Sequence, residues 1–243
     1  MTIEYILRQI HPLPDKALQK ILARMEAVAL PKGHLVFHAG RVETSFYFIK
    51  SGIARAWALQ DGNEVTFWFG QEGDTIISMK SYIAGEPGYE NIELLEDSEL
   101  YHLKNRDLHE LYQADIDIAN WGRKFAEGEL IRTEARFISR QFRTASERYR
   151  DLLRENPALL QRVQLGHIAS YLGITQVSLS RVRKRGERGR GVMLRLRSAQ
   201  GERVGGSALS FYSGWLPDSG LSGAEAGTVQ NFVSTEFSAR AAC

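Results

Sequence analysis

The spacing of apolar residues changes twice along the chain. Over residues 4–29, the apolar positions after Pro14 recur every three or four residues, which predicts a helix ending at Pro31-Lys32-Gly33. From His34 to Leu103, short β-branched and aromatic runs alternate with turn-forming residues, and Asp61-Gly62 is a strong hairpin signal. Strands this short and close together are typical of a sandwich or a barrel-like β-roll. We predict them at residues 34–37, 46–50, 53–59, 64–69, 92–95 and 99–103.

Helical spacing returns at residues 105–112 and continues through 116–142. The longer helix carries two apolar stripes, Ile118, Trp121 and Phe125, then Ile131, Ala135, Ile138 and Phe142. At about 1.5 Å per residue, the helix and its apolar stripe are longer than a small domain. The pattern therefore favours packing against a partner helix in a homodimer over packing on its own roll alone. Three shorter helices are predicted at residues 147–156, 166–172 and 176–184, with Ser146 as the N-cap of the first.

Charge divides the chain within this long helix. Residues 1–131 carry 13 basic and 20 acidic side chains, whereas residues 132–184 carry 11 basic and 4 acidic ones. This asymmetry favours contact between the second part and a polyanion, although a solvated basic face has the same composition. The only cysteine is Cys243, and neither an apolar run of 18 residues nor a signal-peptide pattern is present, so we expect a cytoplasmic protein.

The most informative motif lies at residues 165–183. Its apolar positions fit the inner faces of two crossed helices, Ala169 is small where they would approach, and Gly173 occupies the turn. The outward positions of the second helix offer hydrogen-bonding groups, one apolar contact and positive charge, which are the groups that read bases and hold phosphates in a major groove. A purely structural helix pair is the alternative. The predicted DNA-binding residues are Thr175, Gln176, Val177, Ser178, Arg181, Arg183 and Lys184.

The segment from Leu172 to Arg181 resembles the helix-turn-helix of the Crp/Fnr (cyclic-AMP receptor protein) family of regulators. Pro31-Lys32-Gly33, residues 47–52 and Gly73-Asp74 resemble that family's β-roll, so the resemblance covers about residues 5–184. It implies that the partners are double-stranded DNA, a second copy of the chain, RNA polymerase and an unidentified small-molecule effector. On this resemblance, the family's DNA-contacting positions are Gln176, Val177, Ser178 and Arg181.

Two departures from the family pattern change what is expected. Many members have Glu at the position of Val177, and because Val makes only apolar contact, we expect a different DNA sequence to be recognised. The family's cyclic-nucleotide cassette has Glu for the ribose and Arg for the phosphate, and this chain has neither at those places. Glu90 would repel a phosphate, so we expect no tight cyclic-AMP binding. A pocket for another effector, or an apolar filling, is predicted at Ser78, Lys80, Tyr82, Tyr89 and Asn91.

We therefore predict an α+β fold in four parts. Residues 1–112 form a β-roll sensor domain of the cyclic-nucleotide-binding type, 113–142 a dimerisation helix and 143–184 a helix-turn-helix DNA-binding domain. Residues 185–243 contain ten Gly and eight Ser but no Lys, Ile or His, and we expect this Gly/Ser/Arg-rich tail to be disordered. A shifted reading frame would also produce such a break in composition.

Two other hypotheses compete with a DNA-binding regulator. One is a small-molecule-binding β-roll without functional DNA binding. The other is a cupin-like metal enzyme, because His34 and His38 are four residues apart and would share one face of a strand. No third ligand follows at a convincing spacing, so the sequence predicts no metal or other cofactor, no catalytic residue and no enzyme.

Overall fold

The computed structural model describes residues 1–184, which form a β-roll with helices on both sides of it in sequence. The helices are α1 (Ile3–Ile10), α2 (Asp15–Leu22), α3 (Met79–Ala84), α4 (Asn105–Ala114), α5 (Ile116–Phe142), α6 (Ala145–Glu155), α7 (Leu159–Arg162), α8 (Leu165–Leu172) and a last one at residues 176–184, labelled α9. The strands are β1 (Glu26–Leu30), β2 (Leu35–Phe37), β3 (Ser45–Ser51), β4 (Ala54–Gln60), β5 (Asn63–Gly70), β6 (Thr75–Ile76), β7 (Asn91–Leu94) and β8 (Ser98–Lys104). The predicted tail, residues 185–243, lies outside the described part of the chain.

The roll consists of two antiparallel four-stranded sheets with strand orders β1-β8-β3-β6 and β2-β7-β4-β5. All six predicted strands are present, each within one residue of the expected ends. The Asp61-Gly62 hairpin is also confirmed: Gln60 pairs with Asn63, and both turn residues have positive φ, as a type I′ turn requires. The core of the roll is formed by Phe37, Ile49, Ala54, Ala56, Ile76, Ile92, Leu94 and Leu100.

Three local expectations were wrong. Residues 26–30 do not continue a helix but form β1, which pairs with β8. The sequence pattern also missed β6, α3 and α7. The helix after α5 is capped by Thr144 rather than Ser146, because Thr144 and Glu147 form a reciprocal capping box that places Ser146 inside the first turn.

The first half of α5 packs on its own roll. The ring nitrogen of Trp121 donates to the carbonyl oxygen of Leu7 at 2.9 Å, and Ile118, Trp121 and Phe125 are buried with residues of α1, α2 and β3. The second apolar stripe differs: Ile131 is 61% exposed and Phe142 is 75% exposed. The first stripe is therefore buried against the chain's own roll, and the second is exposed to solvent.

A buried arginine joins three strands of the second sheet. The guanidinium of Arg55 is only 2% exposed and donates to the carboxylates of Glu64 and Glu93, each at 2.6 Å, and to the hydroxyl of Thr66 at 2.9 Å. A buried guanidinium is tolerated only when its donors are paired, so these contacts tie β4, β5 and β7 together.

Candidate DNA-recognition helix and ligand cavity

A tight turn joins α8 to α9. Gly173 ends α8 with φ of +66°, a conformation that favours glycine, and its N–H donates to the carbonyl of Ser170 at 3.0 Å. The hydroxyl of Thr175 accepts from the backbone N–H of Ser178 at 3.2 Å and so caps α9. Both residues therefore have the local roles that their positions indicated. The inner faces of the pair bury Ile168, Ala169, Leu172 and Leu179.

The outer face of α9 is open to solvent. The exposed side chains on and beside it are Thr175, Gln176, Val177, Ser180, Arg181 and Lys184, whereas Ser178 and Arg183 are half-buried. Ser178 accepts a hydrogen bond from the Thr175 hydroxyl at 3.1 Å, so its hydroxyl is part of the cap. The amide of Gln176 lies over Gly166, where an added Cβ would be 2.6 Å from its nitrogen. Arg181 and Lys184 thus present the most accessible positive charge of this face.

Arg148 connects the end of the long helix to the α8–α9 pair. Its guanidinium donates to the carbonyl of Arg143 at 2.5 Å and to the carbonyl of Leu172 at 2.6 Å. These carbonyls lie at the C-terminal ends of α5 and α8, where a cation also interacts favourably with the helix dipoles. The orientation of α9 is therefore linked to α5 through one side chain of α6.

The helices after α5, residues 144–184, form a helical head that rests on the roll. Arg162 donates to Glu72 at 2.8 Å and also pairs with Glu96. The hydrogen bonds from Arg162 lower the pKa of the Glu72 carboxyl to about 2, so this carboxylate stays ionised throughout the physiological range. The core of the head also includes Ile53 of the roll, so the two parts share apolar packing.

Ser170 of α8 docks on β5, the edge strand of its sheet. Its hydroxyl accepts from the N–H of Thr66 and donates to the carbonyl of Glu64, both at 2.9 Å. Next to this contact, β5 has a bulge: Trp68 pairs with Ala56 and Thr66 pairs with Trp57, which leaves Phe67 as the extra residue. Neighbours in a regular strand face opposite sides, but this bulge turns Phe67 and Trp68 toward the same cavity.

That cavity, of about 520 Å³, lies between the roll and α5. On the roll side its lining includes Phe67, Trp68, Ile77, Tyr89, Glu90 and Ile92. On the helix side it includes Leu130, Thr133, Arg136, Phe137 and Arg140. A mostly apolar cleft of this size with a few polar groups has the usual properties of a small-molecule site.

The predicted effector residues are not all brought together. Lys80 and Tyr89 line the cavity, and the buried Ser78 lies beside it, where its hydroxyl donates to Ser81. The other two residues, Tyr82 and Asn91, do not line this cavity. Tyr82 faces α4, where its hydroxyl donates to Tyr112 at 3.2 Å, because α3 packs against that helix. The side chain of Asn91 is engaged by the backbone N–H of Ala39 at 3.1 Å.

Sequence reasoning missed the aromatic wall of the cavity and its α5 side. Phe67 and Trp68 are adjacent in a strand, and a regular strand would place adjacent side chains on opposite faces. The bulge in β5 changes this arrangement. Thr133 and Arg136 would have been found by placing the i, i+3 face of α5 against the roll.

Within residues 1–184, no group of three His, Cys, Asp or Glu side chains is placed to hold a metal ion, and no helix has the length and apolarity to cross a membrane.

Residues 27–115 match the family model of the cyclic nucleotide-binding domain. The roll and its flanking helices therefore define a protein with a cyclic nucleotide-binding-type fold. The search of curated proteins found no match.

Several solved structures have the same fold. FixK2 from Bradyrhizobium japonicum superposes with a TM-score of 0.58 at 20% identity, covering 66% of this chain and 83% of its own. A protein from Eubacterium rectale assigned to the Crp/Fnr family of transcriptional regulators gives 0.58 at 16% identity, with coverages of 72% and 84%. The c-di-GMP-responsive global regulator CLP of Xanthomonas campestris gives 0.55 at 16% identity, with coverages of 72% and 93%.

Proposed function

We propose that this protein is a homodimeric, sequence-specific DNA-binding transcription regulator of the Crp/Fnr type. The observation that carries the proposal is the exposed basic face of α9, capped by Thr175 and held on a packed partner helix. A helix presented in this way fits the width of the major groove, and its N-terminal residues meet base edges. In this role Arg181 contacts a base, Gln176 and Ser178 contact bases or phosphate, and Arg183 and Lys184 hold the backbone.

Dimerisation is supported by the uncovered stripe of α5. Ile131, Ile138 and Phe142 recur at spacings of seven and four, which is the spacing of a two-helix seam. A two-fold dimer would present two copies of α9 to half-sites about one helical turn, roughly 34 Å, apart. The Crp/Fnr-type structures with the same fold are consistent with this use of the helix.

The decisive experiment is selection of bound fragments from a random double-stranded DNA pool, followed by a salt titration on the enriched sequence. We expect a palindrome, with affinity falling by about 10³–10⁵ between 50 and 200 mM salt if the dimer neutralises roughly 6–10 phosphates. A scrambled fragment of equal length is the control. Weak binding of equal strength to both would reject the proposal.

A second candidate function is a ligand-binding roll that does not read DNA, and the apolar cavity favours it. It predicts saturable small-molecule binding together with no enriched palindrome. Both candidate functions allow small-molecule binding in the cavity, and they differ only in DNA binding. The DNA selection therefore decides between them.

The residues on the roll side of the cavity do not favour binding of cyclic AMP. It lacks an arginine from the roll for the cyclic phosphate, and the side chain in the corresponding segment is the carboxylate of Glu90. Calorimetric titration with cyclic AMP should therefore give no saturable heat in the micromolar range. Adenosine, which lacks the phosphate, is the control for base and ribose contacts. A micromolar or tighter Kd for cyclic AMP would contradict this prediction.

A further inference from the structure

The charged groups around the cavity differ in whether they have partners. At its rim, Lys80 pairs with Glu86 at 3.0 Å. On the α5 side, Glu129 pairs with Arg132, and Arg136 donates to the hydroxyl of Thr133 at 2.9 Å. Arg140 also lines this side, is exposed to water, and forms no ion pair within residues 1–184. These side chains are all at least partly exposed to water. Their charges are therefore screened without any ligand.

Glu90 differs from these groups because it is buried. It lines the cavity, is only 7% exposed, and accepts one hydrogen bond, from the backbone N–H of Tyr89 to Oε2 at 3.0 Å. No Lys, Arg or His side chain among residues 1–184 lies within ion-pairing distance of its carboxylate. Its other oxygen, Oε1, lies beside Gly88, where an added Cβ would approach it to 3.1 Å. Glycine at this place leaves the carboxylate room within the loop.

A carboxylate removed from water without a cationic partner is costly, and pairing with a cation in a low-dielectric site removes much of that cost. The roll side of the cavity also contributes apolar and aromatic side chains, including Phe67, Trp68 and Ile92. Flat apolar walls favour an apolar or aromatic body, and they strengthen any charge pair formed beside them by excluding water.

We propose that this cavity binds an apolar or aromatic small molecule carrying a protonated amine, and that Glu90 pairs with the amine and sets this specificity. The inference deepens the proposed regulator function by naming the class of its effector, and it rests on that function only for the effector role. The same carboxylate disfavours ligands whose phosphate or carboxylate would point at it.

The test uses three probes of similar shape and different charge: tryptamine, neutral 3-ethylindole and anionic indole-3-propionate. Calorimetric titration of the full chain should rank tryptamine tightest and indole-3-propionate weakest, with tryptamine favoured over 3-ethylindole by about tenfold or more, as a desolvated charge-assisted hydrogen bond implies. In Glu90→Gln that preference should fall to about one while the Kd of 3-ethylindole is unchanged. The matched control Glu86→Gln, at the rim, should keep the full preference.

The proposal is overturned if the neutral or anionic probe binds as tightly as tryptamine, if Glu90→Gln keeps the amine preference, or if no probe gives a saturable heat. Thermal unfolding of both variants checks that they are folded. Unchanged binding of 3-ethylindole shows in addition that the cavity itself is intact. None of these readouts involves DNA, so a failed DNA selection and a failed ligand preference are separate results.

Discussion

Arg181→Ala should weaken binding to the selected DNA sequence by roughly 5- to 150-fold and flatten the preference at one base position in each half-site. The physical reason is that a guanidinium on the exposed face of α9 can donate two hydrogen bonds to one guanine, and such a bidentate contact contributes about 1–3 kcal/mol of discrimination. Competition binding with the palindrome and with single-base variants measures both effects.

The control for Arg181→Ala is Arg106→Ala, which removes a guanidinium that is 77% exposed on α4, away from the helical head. It should leave the sequence preference unchanged. A phosphate contact behaves differently from a base contact, because its loss weakens binding to all sequences about equally and lowers the salt dependence by about one ion. If Arg181→Ala shows that uniform loss, Arg181 holds the backbone and does not read a base.

The parts of the fold that sequence predicted well are those with local causes. Asp61-Gly62 adopts its hairpin because both residues tolerate positive φ, and Gly173 ends α8 for the same reason. The bounds of α5 were also correct, since Asp115 caps its first turn. In contrast, residues 26–30 were assigned to a helix because Met25 and Val28 keep helical spacing. Their strand conformation comes from pairing with β8, about 70 residues later in sequence.

The candidate site divides in the same way. Thr175 and Gly173 act within a few residues of themselves, so their positions in the motif were enough to predict their local roles. The cavity depends on contacts distant in sequence: the Phe67 bulge in β5, the side of α5 that meets the roll, and the packing of α3 on α4 that turns Tyr82 away. A residue list drawn from one segment could not include them.

Strand β5 contacts both the ligand cavity and the helical head of the proposed regulator. Phe67 and Trp68 face the cavity, while the neighbouring Thr66 holds Ser170 of the helical head. Gly70 at the end of the strand allows the Trp68 ring to lie over the backbone, where a Cβ would approach it to 2.1 Å. The bulge that forms the cavity wall and the contact with the helical head are therefore adjacent in one strand.

Ile131→Asp should convert the protein from a dimer to a monomer and lower its affinity for the palindrome by about 10²–10⁴, the usual gain from linking two binding modules. Ile131 is 61% exposed in the protomer, and an aspartate at the centre of an apolar helix seam would be desolvated without a cation. Because the side chain makes no contribution to the core of its own roll, thermal unfolding of the isolated protomer should change little. Light scattering coupled to size exclusion measures the oligomeric state, and competition binding measures the affinity.

The matched control is Glu134→Gln, an exposed polar residue one turn further along α5, which should leave the protein dimeric. Each monomeric Ile131→Asp protomer keeps an intact α9, so it should still prefer the half-site sequence over random DNA, with about half the salt dependence of the dimer. A variant that remains dimeric would show that the second stripe of α5 is not the dimer seam. A monomer that binds the palindrome as tightly as the parent would show that one head is sufficient for recognition, and the two-fold arrangement of the proposed regulator would have to be abandoned.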